Sequence, residues 1–532
     1  MSENTKKNNL LLLYLKCWGI FCLIYSYMLF QFWWGNHDWK PLIYGIDWND
    51  GLFEARYSQH LFTVFFFNGQ ILPTLYVIIS LGLLALLCLF SAKYLCLRQN
   101  QRTYFLFILL LGCSPYTFVL FHYVFITAPM IMWGSVLIGL LMLSEGSHKF
   151  WKICVSSLGF AFTLGGYPPN ISFAAIMFCG RKIILYQNKK QNITQILGDS
   201  IFLGLALLIG YGINRLIVHF LTVYMGFRFQ MYNMRTSSLM DIIQKIPQEI
   251  LRAFQSLGDV YSDLGAFYAV FISIICFGAI LRILQTVPNK LIGLVMILCL
   301  MLATRIAYLI SANAWYAGFR IGYWSFLGLS AVALSILFNI NNRAIKNIMF
   351  ALSVVAIFVF AKSDYEIEKT VFYKFRIERL FQKRVGERIS LQPQFKIKAN
   401  YAALAFSYPD FKTQVCPKGC PNLNNEILDD TVLPADLGYV LFWDEVENPI
   451  SIKFGIWGKT FWRVNDPVLK NTKITPNADN IQNISYWVYI ESKPYPFEKS
   501  IYVDDKYILM NFDELFFNQN RGLLLYELKG SK

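Results

Sequence analysis

The chain has 532 residues, of which 56% are hydrophobic and 17% aromatic but only 15% charged, whereas an ordinary soluble domain carries about a quarter charged residues. That composition excludes a wholly water-soluble protein. The formal charge of +15 does not mark a nucleic-acid binder, because up to Ala361 the basic residues gather in short clusters between apolar runs, as cytoplasmic loops do.

The chain opens on a polar stub with Lys6 and Lys7, followed by the apolar run Leu10–Trp34. That run is longer than a signal-peptide core and lacks a small-residue cleavage site, so it reads as an uncleaved first helix. About 20 apolar residues cross the hydrocarbon core, which gives about eleven crossings: 10–34, 71–92, 103–121, 124–144, 153–166, 171–180, 197–221, 264–286, 291–311, 323–340 and 347–361. The fifth and sixth are short and read as half-length helices meeting at Gly165-Gly166-Tyr167-Pro168-Pro169-Asn170, a break tolerated only where protein or water surrounds the backbone.

Alternate gaps carry Lys6/Lys7, Lys93/Arg98/Arg102, Lys149/Lys152, Arg181/Lys182/Lys189/Lys190, Lys290 and Arg343/Lys346, a consistent positive-inside record. The opposite gaps, including 35–70, 225–263 and 311–322, are then external. An odd number of crossings also puts everything after Lys362 outside. Residues 1–361 therefore form a transmembrane domain with an external loop at 35–70, and residues 362–532 form a soluble domain. In the latter, Ile367–Arg388 reads as an amphipathic helix lying on the membrane, the alternative being the first core helix of the soluble domain, and runs such as Tyr439–Trp443 and Ser485–Ile490 read as strands. The expected fold is an α-helical polytopic membrane protein with a C-terminal periplasmic domain, mixed α/β or mainly β. All but two of the eleven cysteines lie in or beside apolar segments. The exceptions, Cys416 and Cys420, suit a periplasmic disulfide; free thiols are the alternative, and the domain's lack of histidine argues against zinc.

The first external loop holds His37, Asp38, Trp39, Asp47, Trp48, Asp50, Glu54, Arg56 and Tyr57. Aromatic faces stack on sugar rings, while carboxylates take sugar hydroxyls or deprotonate an attacking one. Asp38 lies a few residues beyond the membrane, level with a lipid-linked substrate. An interfacial tryptophan belt with solvated acids would use the same residue types. A second set is Arg215 with His219 at i, i+4 in helix seven, Arg305 in helix nine, and Arg320 in the loop that follows. Arginine in hydrocarbon costs about 2.5–3.5 kcal/mol on insertion scales, so Arg305 calls for a partner, and phosphate is a natural one. Snorkelling to headgroups would account for Arg215 or Arg320 singly. Carboxylates, aromatics and arginines on one face suit a sugar on a polyprenyl phosphate, a donor that needs no nucleotide-binding loop; no such loop is present.

The sequence resembles the type II Gtr family of bacterial O-antigen glucosyltransferases, within the GT-C class. The residues carrying the resemblance are His37-Asp38-Trp39, Ala55-Arg56, Ser114-Pro115-Tyr116, His122-Tyr123-Val124-Phe125 with Pro129-Met130, Gly166-Tyr167 and the Arg320 region. The chain departs from the family at His37 and Ile126, where acids are expected, and at Pro168, where a glutamine is. Asp38 is then the leading candidate base and Glu54 the second. The resemblance implies an undecaprenyl-phosphate glucose donor, a lipid-linked O-antigen or similar acceptor at the periplasmic face of the bacterial inner membrane, and inversion at the donor carbon. Arg56, Arg215, Arg305 and Arg320 are the candidate phosphate ligands. His37, Trp39, Asp47, Trp48, Asp50, Tyr123 and Tyr167 are the candidate sugar contacts.

No cofactor is expected, and no ligand spacing argues for a metal. Expected partners are the polyprenyl-phosphate sugar, the glycan acceptor, membrane lipids, a flippase and a cytoplasmic enzyme that makes the donor. A flippase of lipid-linked glycan is the rival function, although the polar cluster lies outside the bilayer midplane and no paired repeats are seen. A non-catalytic envelope assembly protein is a third reading.

Overall fold

The computed structural model describes residues 3–30, 45–47, 56–95, 97, 101–122, 124–145, 149–225, 239–262, 266–310, 318–340, 342–394, 402–406, 484–490, 501–503, 507–511 and 523–528. Among these, fifteen α-helices and five strands are found. The chain divides into two compact units, one of residues 1–369 with 421–427, the other of 370–420 with 428–532.

The first unit is helical: α1 (Glu3–Ile24), α2 (Ser26–Phe30), α3 (Leu61–Phe67), α4 (Pro73–Tyr94), α5 (Gln101–Gly112), a 3₁₀ segment (Pro115–His122), α6 (Val124–Glu145), α7 (Lys149–Leu164), α8 (Asn170–Gln187), α9 (Ile193–Met225), α10 (Leu239–Ser262), α11 (Ala266–Thr286), α12 (Lys290–Ala303), α13 (Ile306–Ile310), α14 (Gly318–Phe338) and the start of α15 (Arg343–Ser390). Four segments, Pro73–Tyr94, Ile126–Ser144, Ile193–Val223 and Arg343–Tyr373, are long and apolar enough to cross a membrane, and six shorter apolar helices accompany them. Such helices define a membrane-embedded helical protein: only a structure that closes its backbone hydrogen bonds internally survives in hydrocarbon.

Helix starts follow local chemistry. Asn289 Oδ1 accepts from the N–H groups of Leu291 and Ile292 at the head of α12, and Asn342 Oδ1 from those of Ala344 and Ile345 at the head of α15. At the head of α9, Asn192 and Gln195 exchange reciprocal backbone-to-side-chain bonds of 3.0 and 2.9 Å. Each device satisfies amide donors that a helix start leaves open.

The core sits where α4 packs on α6, α7 on α9, and α8 on α14, with α14 also meeting α11. Trp324, Tyr76, Tyr94 and Phe107 are fully buried there. At the Lys/Arg-marked ends, Asp199 of α9 binds Lys152 of α7 at 2.7 Å and Lys182 of α8 at 2.6 Å. Arg181 and Lys182, which the sequence reading places in a loop, are thus helical, and α8 runs for 18 residues rather than the half-length expected of the sixth crossing. Asp199 is the physical reason, since it neutralises the lysine that helix continuation buries.

Two further expectations change. The segment 225–263, read as loop, contains α10, whose residues Met240, Ile243, Ile246 and Leu251 are exposed at helical spacing on one face. The membrane-lying helix expected at Ile367–Arg388 is the continuation of α15, which spans 48 residues, about 72 Å at ~1.5 Å per residue. Lys362-Ser363-Asp364-Tyr365-Glu366 contains neither glycine nor proline to stop the helix.

In the second unit, β1 (Ala402–Phe406) pairs parallel to β4 (Tyr507–Asn511), which pairs antiparallel to β3 (Ile501–Val503); β2 (Ile484–Ile490) pairs antiparallel to β5 (Leu523–Leu528).

Candidate functional site

Three features that stand apart in the sequence meet in space. The turn Arg56–His60 docks on the break between α7 and α8: Ser58 N donates to Gly165 O at 2.9 Å, Ser58 Oγ to Phe162 O at 2.6 Å, and the Tyr57 hydroxyl to Ala161 O at 2.8 Å. From α6, the Trp133 indole donates to Ser58 O at 3.0 Å and stacks on Phe162 at 5.8 Å. Both glycines of the break are required. A methyl group at Gly165 would overlap the Tyr57 ring, and one at Gly166 the Trp133 ring and Ser58 Oγ. After the break, Asn170 opens α8, its side-chain amide donating to Met130 O at 2.9 Å.

On this scaffold Arg56 is half-buried and its Nη1 donates to Gln59 Oε1 at 3.2 Å. Tyr167 is 2% exposed, so its ring is part of the packed turn and not an open face for stacking a sugar. Asp47 is exposed and follows Ile46, whose N–H donates to Gly69 O at 2.7 Å. Gly69 adopts φ +78°, and a β-carbon there would strike Ile46 O, so the close approach of Ile46 and Gly69 depends on that glycine.

The arginines are dispersed. Arg215 is exposed on α9 and lies over the Tyr211 ring at 5.6 Å. Arg305 is 8% exposed at the junction between α12 and α13. The partner that its depth calls for is a carboxylate: Arg305 Nε and Nη2 donate to Glu249 Oε2 at 2.8 and 2.7 Å, and Tyr308 lies beneath the guanidinium at 3.8 Å. Glu249, on α10, also binds Arg252 at 3.2 Å. The phosphate expected at Arg305 is therefore replaced by protein in this structure. The backbone of Arg320 lies in the first turn of α14 and not in a loop; its side chain is outside the described residues.

The ninth crossing, expected to be continuous, breaks at Thr304–Arg305. The opened backbone is satisfied from two neighbours. Ser325 Oγ of α14 donates to Thr304 O at 3.0 Å and Ser172 Oγ of α8 at 3.4 Å, while Ala307 N donates to Ser172 Oγ at 3.1 Å. Broken helices persist in membranes only where such partners exist.

His37, Asp38, Trp39, Trp48, Asp50, Glu54, Tyr123, Cys416 and Cys420 lie outside the described residues. The sequence reading missed Glu249 and the helix that carries it, although the spacing of Ile243, Ile246, Ile250 and Phe254 signals an amphipathic helix. No family model, curated protein or solved structure matches the chain.

Proposed function

We propose that this protein is a membrane glycosyltransferase that moves a hexose, glucose on the family resemblance, from a polyprenyl-phosphate donor to a lipid-linked glycan at the periplasmic face of the bacterial inner membrane. The observation that carries the reading is the docking of the Arg56 turn on the Gly165–Asn170 break. Two stretches marked independently by the resemblance to the type II Gtr family support each other, and Arg56 follows directly in sequence on the loop that contains the acids. Orientation comes from the loop charges.

In this reading Asp38 takes the proton of the acceptor hydroxyl, with Glu54 the second candidate. The acceptor oxygen attacks the anomeric carbon from the side opposite the phosphate, and the polyprenyl phosphate leaves with the bonding electron pair, its charge met by Arg56 and Arg320. Arg305 contributes only after Glu249 releases it. Trp39 and Trp48 provide stacking faces for sugar, and the C-terminal domain faces the periplasm.

The test is sugar transfer from a polyprenyl-phosphate hexose in membranes carrying the wild-type chain, Asp38→Asn or Glu54→Gln. Transfer that falls at least about a hundredfold in Asp38→Asn, the usual weight of a general base, supports the assignment. Undiminished turnover in both variants removes it. Movement of labelled lipid between leaflets with no transfer would replace the enzyme by a flippase.

A further inference from the structure

The end of the bundle where α7, α8 and α9 meet Asp199 carries more positive charge than its packing uses. Asp199 is the one acidic residue between Lys149 and Met225. Both its oxygens are taken, Oδ1 by Lys152 at 2.7 Å and Oδ2 by Lys182 at 2.6 Å and the Gln191 amide at 3.1 Å. One carboxylate against two ammonium groups leaves one positive charge over. Lys182 is 4% exposed and also donates to Gln191 Oε1 at 3.3 Å, so it neutralises Asp199 and ties α8 to α9 without help. Lys152, from α7, is the surplus cation.

Among the described residues, Asp199 is the one hydrogen-bond acceptor of Lys152, which leaves two of the three ammonium donors open. Lys152 lines a recess with Ser156, Tyr94, Phe178 and Phe202. Ser156 lies four residues further along α7 and so on the same helix face. A helical serine commonly returns its hydroxyl to the carbonyl four residues before it, as Ser80, Ser91 and Ser200 do. Ser156 does not: it is 3% exposed, and its hydroxyl makes no hydrogen bond among the described residues. Lysine and serine thus offer donors to one recess that holds no acceptor for them, at a cost in free energy that an anion rich in oxygens would offset.

Two neighbours indicate which anion. Phe150 and Trp151, next to Lys152, are 71% and 61% exposed, and such aromatic residues settle at the headgroup level of a bilayer. Ile201, Leu205 and Leu208 form an exposed apolar strip on α9, starting two residues beyond Asp199; acyl chains would cover that strip, and a free phosphate would not. Basic pockets between membrane helices hold anionic headgroups in this manner.

We infer that the recess binds the phosphate of an anionic phospholipid, with Lys152 Nζ and Ser156 Oγ donating to its oxygens and its charge balancing the lysine that Asp199 leaves over. The site is independent of the transfer reading.

The experiment titrates the full chain in nonionic detergent and reads lipid-bound against lipid-free protein by native mass spectrometry. The probes are phosphatidylglycerol, phosphatidylcholine, and phosphatidylglycerol in competition with inorganic phosphate. Lys152→Gln keeps a donor toward Asp199 and loses the charge. Ser156→Ala removes a single oxygen and serves if the glutamine variant fails to fold. Lys189→Gln/Lys190→Gln, at exposed positions of the turn between α8 and α9, measures the attraction of solvated lysines.

The expected result is saturable binding of phosphatidylglycerol, about tenfold tighter than that of phosphatidylcholine, whose choline brings a further cation to the site. Lys152→Gln weakens it about tenfold and Ser156→Ala about threefold, while the paired lysine variant weakens it less than Lys152→Gln does. Unchanged affinity in Lys152→Gln and Ser156→Ala overturns the site, as does a loss confined to the paired lysine variant. Equal affinity for the two lipids overturns the preference for an anionic one. Displacement of the lipid by inorganic phosphate at a comparable concentration overturns the lipid source and leaves a phosphate site.

Discussion

Arg305 and Glu249 form a two-donor ion pair, Nε and Nη2 meeting one carboxylate oxygen at 2.8 and 2.7 Å, and it joins the amphipathic helix α10 to the break between α12 and α13. Both side chains are buried, at 9% and 5% exposure. Removing one partner leaves an uncompensated charge, whereas removing both leaves none. Glu249→Ala is expected to destabilise the protein by about 3–5 kcal/mol, with Glu249→Leu/Arg305→Met recovering most of the loss. Thermal unfolding in detergent compares the three; equal losses in the single and double variants would show that the stranded arginine charge is not the source of the loss.

The α7–α8 break should tolerate no added carbon. Gly165→Ala and Gly166→Ala each push a methyl into an aromatic ring, and overpacking of this kind costs about 1–3 kcal/mol. Because those rings anchor the Arg56 turn, unfolding midpoints and transfer activity fall together. Gly198→Ala, at a helical glycine with open space around it, is the control and leaves both in place.

Asp199 neutralises two lysines from different helices. In Asp199→Asn, Lys152 and Lys182 face each other without an anion between them, and the expected loss is about 1.5–3 kcal/mol, the usual worth of hydrogen bonds to charged groups. Added salt partly rescues it by screening the repulsion. Unfolding midpoints at low and high salt measure this; a salt-independent loss would point to packing instead.

Arg56 presents a forked cation to the proposed donor phosphate. Arg56→Ala is expected to lower transfer at least about tenfold, and Arg56→Lys recovers little, since an ammonium lacks the two parallel donors. Near-complete recovery by lysine in kcat/KM would mean that only the charge matters.

Much of the bundle was legible because hydrocarbon admits few solutions: runs of apolar residues and clusters of Lys and Arg locate most helices without any knowledge of their neighbours. The errors fall where a partner distant in sequence decides. Helix α8 extends through Lys182 because Asp199 lies opposite, and the ninth crossing breaks at Thr304 because Ser172 and Ser325 satisfy the opened backbone. No local pattern reveals either. Helix α15 is a different case, since the absence of any breaker between Ala361 and Ile367 already argued for one continuous element. Of the candidate site, the sequence singled out Arg56 and the Gly166-Tyr167 break but not their contact. It set Arg305 apart as needing a partner, yet took phosphate where a glutamate from an unrecognised helix sits.

The satisfied break at Thr304–Arg305 also draws its partners from both earlier and later in the chain. Ribosomal synthesis releases Ser172 and Glu249 before Arg305, so the arginine's counter-charge and one of the two serines are waiting when α12 enters the bilayer. Ser325 follows Thr304 by 21 residues, and until α14 inserts, one carbonyl of the unwound turn has only the longer bond from Ser172. The turn between α12 and α13 is thus completed by a residue made after it, Ser325 of α14.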